Sequence, residues 1–153
     1  MTAPVTVRAA IDAPAERVWD LVSDVTRMGE WSPETRSCRW LGEPAAPEVG
    51  ARFAGRNQFR GRLWYTTCTV TAAERGREFA FDVTGAGFLP VSTWRYTFGQ
   101  EGAGCTVEES WVDRRGTLLR TFGALVLGVA DRAAHNRSTM TETLARLKAA
   151  AES

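Results

Sequence analysis

The chain has 153 residues, of which 44% are hydrophobic and 24% are charged, as in an ordinary globular protein that folds as one domain over residues 1–153. Nineteen Lys and Arg stand against eighteen Asp and Glu, so no charge bias favours binding to nucleic acid or to an anionic membrane. The three cysteines lie far apart without a CxxC pair, and His135 is the single histidine. We therefore expect no disulfide framework and no bound metal or cofactor.

Two further features bear on location. The N-terminus lacks the basic and apolar regions of a signal peptide. The longest apolar run, Phe122 to Ala130, is too short to span a bilayer and contains two glycines. We therefore expect a cytoplasmic protein without stable membrane insertion. For the oligomeric state we expect a monomer or a homodimer.

The chain begins with a strand and two short helices. Apolar and polar residues alternate from Val5 to Ile11, which predicts a half-buried first strand. Pro14 is typical of the start of a helix. Asp24 is a suitable cap for a second helical segment that ends near Trp31, before Ser32-Pro33.

From Ser37 onward the hydrophobic period changes to two. About six blocks each carry one bulky and one polar face, which indicates an antiparallel sheet that is wetted on one side. Glycine-containing turns separate the blocks. In the block that begins at Trp64, for example, the bulky face holds Trp64, Thr66, Cys68, Val70 and Ala72.

The last part of the chain, Thr117 to Ala151, reads as one long helix with an apolar stripe. Residues at three- and four-residue steps form the stripe: Leu118, Phe122, Leu125, Val129, Ala133, Asn136, Met140, Leu144 and Leu147. Because a lone helix must cover such a stripe, we expect it to lie on the sheet. Gly123 and Gly128 would allow close approach to the sheet or leave room for a ligand, or are merely tolerated.

Two segments carry a resemblance to a known family. Residues Ile11 to Asp24 resemble the opening of the START-like, or SRPBCC, superfamily, and Met28 to Pro33 resemble its polyketide cyclase/dehydrase branch. The resemblance implies an α+β helix-grip fold, in which a seven-stranded antiparallel sheet wraps around a long C-terminal helix and encloses a hydrophobic cavity. Two short helices follow the first strand. The superfamily contains lipid and hormone carriers, aromatase/cyclases and ubiquinone-associated proteins, so the fold alone does not select a function.

Aromatic residues dominate the predicted inward faces, where they either line a cavity or fill the core. With the polar residues that interrupt these faces and part of the helix stripe, they form the predicted ligand-binding set: Phe53, Asn57, Phe59, Trp64, Phe79, Phe81, Trp94, Tyr96, Glu109, Trp111, Phe122, Leu125, Val129, Asn136 and Met140.

Glu109, Tyr96 and Asn57 are the candidates for proton transfer, and Glu109 is alternatively a polar anchor for a ligand carbonyl or hydroxyl. Because an unpaired buried carboxylate is costly, Glu109 is expected to reach a partner, to take up a proton, or to lie near a wet opening. The alternative is a glutamate at a twisted strand end that points to solvent or pairs with an arginine. His135 falls outside the helix stripe, toward the exposed side, which argues against a catalytic role.

Two loops near the expected cavity have open interpretations. Gly85 to Pro90, with Phe88 and Leu89, is either an entrance lid or an ordinary hairpin end. Trp31-Ser32-Pro33 is expected to wedge the short helices against the sheet near the cavity mouth, and the alternative is contact with the ligand.

The leading functional hypothesis is non-covalent binding of a small hydrophobic or aromatic metabolite, such as a lipid, polyketide or isoprenoid-like compound. The first alternative is a polyketide aromatase/cyclase-type enzyme that uses polar cavity residues for proton transfer. The second alternative is a protein-interaction module of the ubiquinone-associated type.

Overall fold

The computed structural model describes residues 4–86, 88–116, 121 and 131–153. Its elements, in chain order, are β1 (Val5–Ile11), α1 (Ala15–Ser23), a 3₁₀ helix (Val25–Glu30), β2 (Thr35–Leu41), β3 (Arg52–Phe59), β4 (Arg62–Glu74), β5 (Glu78–Gly85), β6 (Leu89–Glu101), β7 (Gly104–Asp113) and α2 (Arg132–Glu152).

The strands form one antiparallel seven-stranded sheet in the order β1-β7-β6-β5-β4-β3-β2. From β2 to β7, strands that are consecutive in the chain pair as hairpins. β1 pairs with β7 and forms one edge of the sheet, and β2 forms the other. The segment of α1 and the 3₁₀ helix connects the two edge strands β1 and β2. The predicted helix-grip architecture is confirmed.

The short helices form as the sequence predicts. Val18, Trp19 and Val22 of α1 are buried, at the spacing of one helix face. Asp24 caps the 3₁₀ helix, because its side chain accepts a hydrogen bond of 3.2 Å from the backbone N–H of Thr26. The 3₁₀ helix packs against β2.

One part of the strand prediction is wrong. The register between β4 and β5 shifts between Val70 and Ala72. Such a bulge reverses the side-chain alternation beyond it. As a result Ala73, rather than Ala72, packs against the hydrophobic core.

The prediction of one uninterrupted helix from Thr117 to Ala151 is also wrong. Asp131 has φ −110° and ψ 87°, which are not helical, and its side chain caps α2 by accepting a 3.0 Å hydrogen bond from Ala134 N–H. Stripe residues Asn136, Met140, Leu144 and Leu147 are buried, whereas Ala133 is exposed. The predicted residues Leu118, Phe122, Leu125, Val129, Gly123 and Gly128 lie outside the described residues.

The core lies between the sheet and the helices α1 and α2. There α1 covers Phe79, whose ring meets Trp19 edge-on with centroids 6.2 Å apart. Leu144 and Leu147 of α2 belong to the same buried cluster. The same cluster extends along the sheet to Phe53, Phe81 and Val83, which also border a cavity.

Candidate functional site

A cavity of about 410 Å³ lies between the concave face of the sheet, the loop after the 3₁₀ helix and the first half of α2. Strands β3 to β7 all contribute side chains to its wall. The lining residues include Met28, Cys38, Phe53, Trp64, Cys68, Phe81, Val83, Val91, Trp94, Trp111 and Met140, which are apolar, and Ser32, Glu34, Thr35, Asn57, Thr66, Ser92, Tyr96, Glu109, Arg115, Arg132, Asn136, Thr139 and Thr143, which are polar.

A hydrogen-bonded pair of polar side chains lies on this wall. Tyr96 of β6 and Glu109 of β7 are directly opposite each other in the strand register. The Tyr96 hydroxyl donates a hydrogen bond of 2.8 Å to Oε2 of Glu109. Glu109 is only 2% exposed, so the alternative of a solvent-facing glutamate is wrong.

The second carboxyl oxygen of Glu109 differs from the first in its hydrogen bonding. Oε1 is buried and has no hydrogen-bond partner among the described residues. Burial raises the pKa of Glu109 to about 8, and the hydrogen bond from Tyr96 offsets only part of this effect. Burial, together with the neighbouring carboxyl group, raises the pKa of Tyr96 well above its usual value. The pair is therefore uncharged near neutral pH.

Two indole rings lie next to this pair. Trp94 and Trp111 are opposite each other in the same register, two residues along each strand from Tyr96 and Glu109. Their ring centroids are 6.5 Å apart and the planes are inclined by 48°. Since residues two apart on a strand face the same side, the four side chains form one continuous patch of wall.

A second polar group lies on β2 to β4. Asn57 Nδ2 donates to Thr66 Oγ1 over 3.2 Å, and Thr35 Oγ1 donates to Ser32 Oγ over 3.1 Å. Gly55 adjoins this group, and a Cβ atom there would lie 2.8 Å from Thr66 Oγ1. The glycine therefore lets Thr66 occupy its place on the wall.

Charged residues connect the loop before β2 to the start of α2. Arg132 donates a hydrogen bond of 3.1 Å to Glu34 Oε1, and His135 Nε2 lies 2.9 Å from Glu34 Oε2. The ring of Phe59 packs edge-on against His135, with centroids 4.5 Å apart. This Glu34 cluster is largely shielded from solvent, so the expectation of an exposed His135 is wrong.

The far end of β7 holds another ion pair. Arg115 donates through Nε and Nη2 to the two carboxyl oxygens of Asp113, each over 2.9 Å. Both side chains are almost fully buried, and Arg115 reaches the cavity wall. A bidentate pair of this kind holds the guanidinium in one orientation.

The structure places most of the predicted ligand-binding residues on the cavity wall: Phe53, Asn57, Trp64, Phe81, Trp94, Tyr96, Glu109, Trp111, Asn136 and Met140. Two predictions are wrong. Phe79 lies under α1 in the core, and Phe59, the last residue of β3, packs on His135 instead of lining the cavity. Phe122, Leu125 and Val129 lie outside the described residues.

Sequence reasoning missed several wall residues, above all Glu34, Arg115, Arg132, Thr139 and Thr143. One signal was present, because Arg132, Asn136, Met140 and Thr143 follow each other at helical steps of four, four and three. Glu34 and Arg115 lie outside regular elements, where no periodicity indicates which way a side chain points.

The hairpin between β5 and β6 borders the cavity. Gly85 and Val91 line the wall, while Phe88 and Leu89 are exposed at 75% and 37%. The role of this hairpin as a lid stays a prediction.

Neither thiol nor metal chemistry is indicated in the part of the chain that the structure describes. Cys38, Cys68 and Cys105 are all free, and burial raises the pKa of each thiol, to about 11 for Cys38. The described ranges contain no group of three His, Cys, Asp or Glu side chains suited to hold a metal ion. Among the described helices none is long and apolar enough to cross a membrane.

Solved structures share this architecture. The polyketide cyclase-like protein Cgl2372 of Corynebacterium glutamicum is 32% identical, with 97% of this chain and 91% of that chain covered and a TM-score of 0.59. Protein CV1439 of Chromobacterium violaceum is 16% identical, with a TM-score of 0.75 over 100% of this chain and 99% of that chain. The di-domain aromatase/cyclase StfQ of the steffimycin biosynthetic pathway is also 16% identical, with a TM-score of 0.68 over 96% of this chain and 44% of that chain.

No curated protein matches the sequence. The family model described as polyketide cyclase/dehydrase and lipid transport matches residues 2–152, nearly the whole chain. The chain therefore belongs to the polyketide cyclase/dehydrase and lipid transport family.

Proposed function

We propose that the protein binds a small hydrophobic or aromatic metabolite, non-covalently, in the cavity between the sheet and α2. One observation carries the proposal: the described residues border an aromatic-walled cavity of about 410 Å³. Protein interiors are normally close-packed, and ligand pockets have volumes of roughly 300–1,000 Å³.

The wall chemistry favours a guest with a flat or aliphatic body. Trp94 and Trp111 offer ring surface for stacking, and Phe53, Phe81 and Met140 offer apolar contact from the sheet and the helix. The arginines of the wall are already paired, Arg115 with Asp113 and Arg132 with Glu34. An anionic guest is therefore not favoured.

The family supports this proposal, because its description includes both polyketide cyclisation and lipid transport. Lipids and polyketides share an extended apolar or aromatic body with few polar groups. The wall described above fits this shared chemistry.

The first test is a binding titration with a panel of lipids, isoprenoids and aromatic polyketides, measured by tryptophan fluorescence. The second is native mass spectrometry of the protein purified from its own host. Trp64, Trp94 and Trp111 on the wall act as reporters. We expect saturable binding. Absence of binding across the panel would contradict the proposal.

A matched pair of variants on α2 locates the site. Thr139 lies on the cavity wall and Thr141 on the exposed face, and each hydroxyl donates to a backbone carbonyl of its own helix. Thr139→Phe should fill the cavity and weaken binding at least tenfold. Thr141→Phe should leave the affinity unchanged, and equal effects would place the guest elsewhere.

Glu109 favours a second candidate function, that of an aromatase/cyclase-type enzyme. The substrate in this case is a poly-β-ketone. A neutral carboxylic acid on the wall is suited to give a proton to one ketone oxygen of the substrate while an enol carbon of the same substrate attacks that carbonyl carbon. The resulting carboxylate then takes the proton that the new ring releases. Tyr96 would hold the carboxyl group in place through its 2.8 Å hydrogen bond.

The test of this second function is turnover of a poly-β-ketone thioester mimic. Glu109→Gln should abolish cyclisation while ligand binding remains. Glutamine keeps the size of the side chain and a hydrogen-bond donor, but its amide does not transfer a proton near neutral pH. Unchanged turnover in this variant would exclude Glu109 from the reaction.

A further inference from the structure

The inference concerns one atom, Oε1 of Glu109. This oxygen is buried on the cavity wall without a partner among the described residues, while Oε2 already accepts the Tyr96 hydroxyl. A buried polar atom without a partner is costly, and such atoms in native proteins call for an explanation. A guest in the cavity supplies the missing partner.

The hydrogen-bond pattern determines what kind of partner fits. Because Oε2 acts as the acceptor for Tyr96, the acid proton of the neutral carboxyl group resides on Oε1. Oε1–H is therefore a donor without a partner among the described residues, on a side chain that lines the cavity. The raised pKa of Glu109, about 8, keeps this donor in place at neutral pH.

We propose that the cavity selects guests that carry a carbonyl oxygen, which accepts a hydrogen bond from Oε1–H of Glu109 while the apolar body lies on Trp94 and Trp111. This inference rests on the proposed function and names its ligand class. Tyr96 and Glu109 are each two residues from the neighbouring tryptophan of their strand, which is about 7 Å along the strand.

Among the described residues, Oε1 of Glu109 is the one buried side-chain nitrogen or oxygen of this wall without a hydrogen-bond partner. The titratable and charged residues on the wall, besides Glu109, are Glu34, Cys38, Tyr65, Cys68, Tyr96, Arg115 and Arg132. Tyr96 donates to Glu109, and both arginines are held by carboxylates. Burial raises the pKa of Cys38 and Cys68, so these thiols stay protonated and offer only weak S–H donors. An amine guest would require an ionised Glu109, which burial disfavours.

The test uses two planar compounds that differ in one oxygen, 9-fluorenone and fluorene, in equilibrium dialysis at pH 6.5 and pH 9.5. At pH 6.5 the wild type should bind fluorenone about tenfold more tightly than fluorene, the effect of roughly one buried hydrogen bond. At pH 9.5 the preference should disappear, because ionised Glu109 has no proton to donate. Circular dichroism at both pH values verifies the fold.

Two variants assign the effect to Oε1–H. Glu109→Gln keeps a donor that does not titrate, so its preference for fluorenone should persist at both pH values. Glu109→Met removes the donor and should bind both compounds equally.

The outcomes separate the two proposals. Equal binding of both compounds by the wild type, or a preference that survives Glu109→Met, would overturn the carbonyl inference and leave the proposed binding function intact. If the wild type binds neither compound and no member of the wider panel, the proposed function fails and this inference fails with it.

Discussion

The hydroxyl of Tyr96 lies 2.8 Å from Oε2 of Glu109, directly across the β6–β7 pair and inside the protein. A core that needed only apolar packing would place no carboxyl group there, because removal of the group from water is costly. Tyr96 satisfies one oxygen and leaves the other to the cavity. The ionisation of Glu109 therefore affects stability, and with the binding function proposed above it also affects affinity.

The first prediction concerns the pH dependence of stability. The pKa of Glu109 is about 8 in the folded protein and near its ordinary value of 4.5 in the unfolded chain. Between these values the folded state holds the proton and the unfolded state does not, so the stability contributed by this group is complete below pH 4.5 and is lost as the pH rises through 8. Glu109→Gln should lack this loss.

Urea denaturation of both proteins from pH 5 to pH 9 measures the difference. The gap in unfolding free energy should move in favour of Glu109→Gln as the pH rises, and should level off above about pH 8. A constant gap over this range would show that Glu109 is ionised or exposed in the folded protein.

A second prediction concerns Tyr96→Phe. The hydrogen bond from Tyr96 lowers the pKa of Glu109, so its removal should raise that pKa further. We also expect a loss of roughly 1 kcal/mol in stability at pH 6, the usual contribution of such a bond. NMR titration of the Glu109 carboxyl carbon measures the shift, and an unchanged or lower pKa would contradict the hydrogen-bond geometry.

A third prediction separates core from cavity. Phe79 is fully buried against Trp19, so Phe79→Ala should lower stability by about 3–5 kcal/mol while ligand affinity per folded molecule stays the same. Trp94 is only partly buried and faces the cavity, so Trp94→Ala should cost less stability and weaken binding. Thermal unfolding and ligand titration of both variants provide the comparison.

The fourth prediction concerns the Glu34 cluster. Glu34 contacts both Arg132 and His135 in a site that is largely shielded from solvent, so Glu34→Gln should lower stability by about 1–3 kcal/mol. The matched control is Glu30→Gln, which breaks an exposed ion pair with Arg27 and should change stability little. Equal effects would mean that burial does not strengthen the Glu34 contacts.

The fifth prediction concerns thiol reactivity. Burial raises the pKa of Cys38, Cys68 and Cys105, so the reactive thiolate is scarce at pH 8. The folded protein should react slowly with Ellman's reagent and the urea-unfolded protein rapidly. Fast labelling of a cysteine in the folded state would show that its surroundings open readily.

Much of this structure could be predicted from the sequence. Alternation along β6 and β7 correctly predicted that Trp94, Tyr96, Glu109 and Trp111 share one face, because strand geometry fixes the direction of every second side chain. The family resemblance correctly predicted which helix covers that face. The role of the protein as a partner-binding module of the ubiquinone-associated type stays a prediction.

The errors have local causes. Phe79 and Phe81 share a face, but only the structure shows that α1 covers the first and leaves the second to the cavity. His135 lies outside the apolar stripe, yet Phe59 and Glu34 cover it from other elements. Periodicity predicts the direction of a side chain relative to its own element. It does not show which residues of other elements pack against that side chain.

The strand order has a consequence for how the protein is made. Among the described strands β1 pairs with β7 alone, so Val5 finds its partner Trp111 after β2 to β6 have been synthesised. The hairpins from β2 to β6 can form while the chain emerges, whereas the N-terminal strand has to wait. We expect this closure, which joins distant parts of the sequence, to be the slow step of folding.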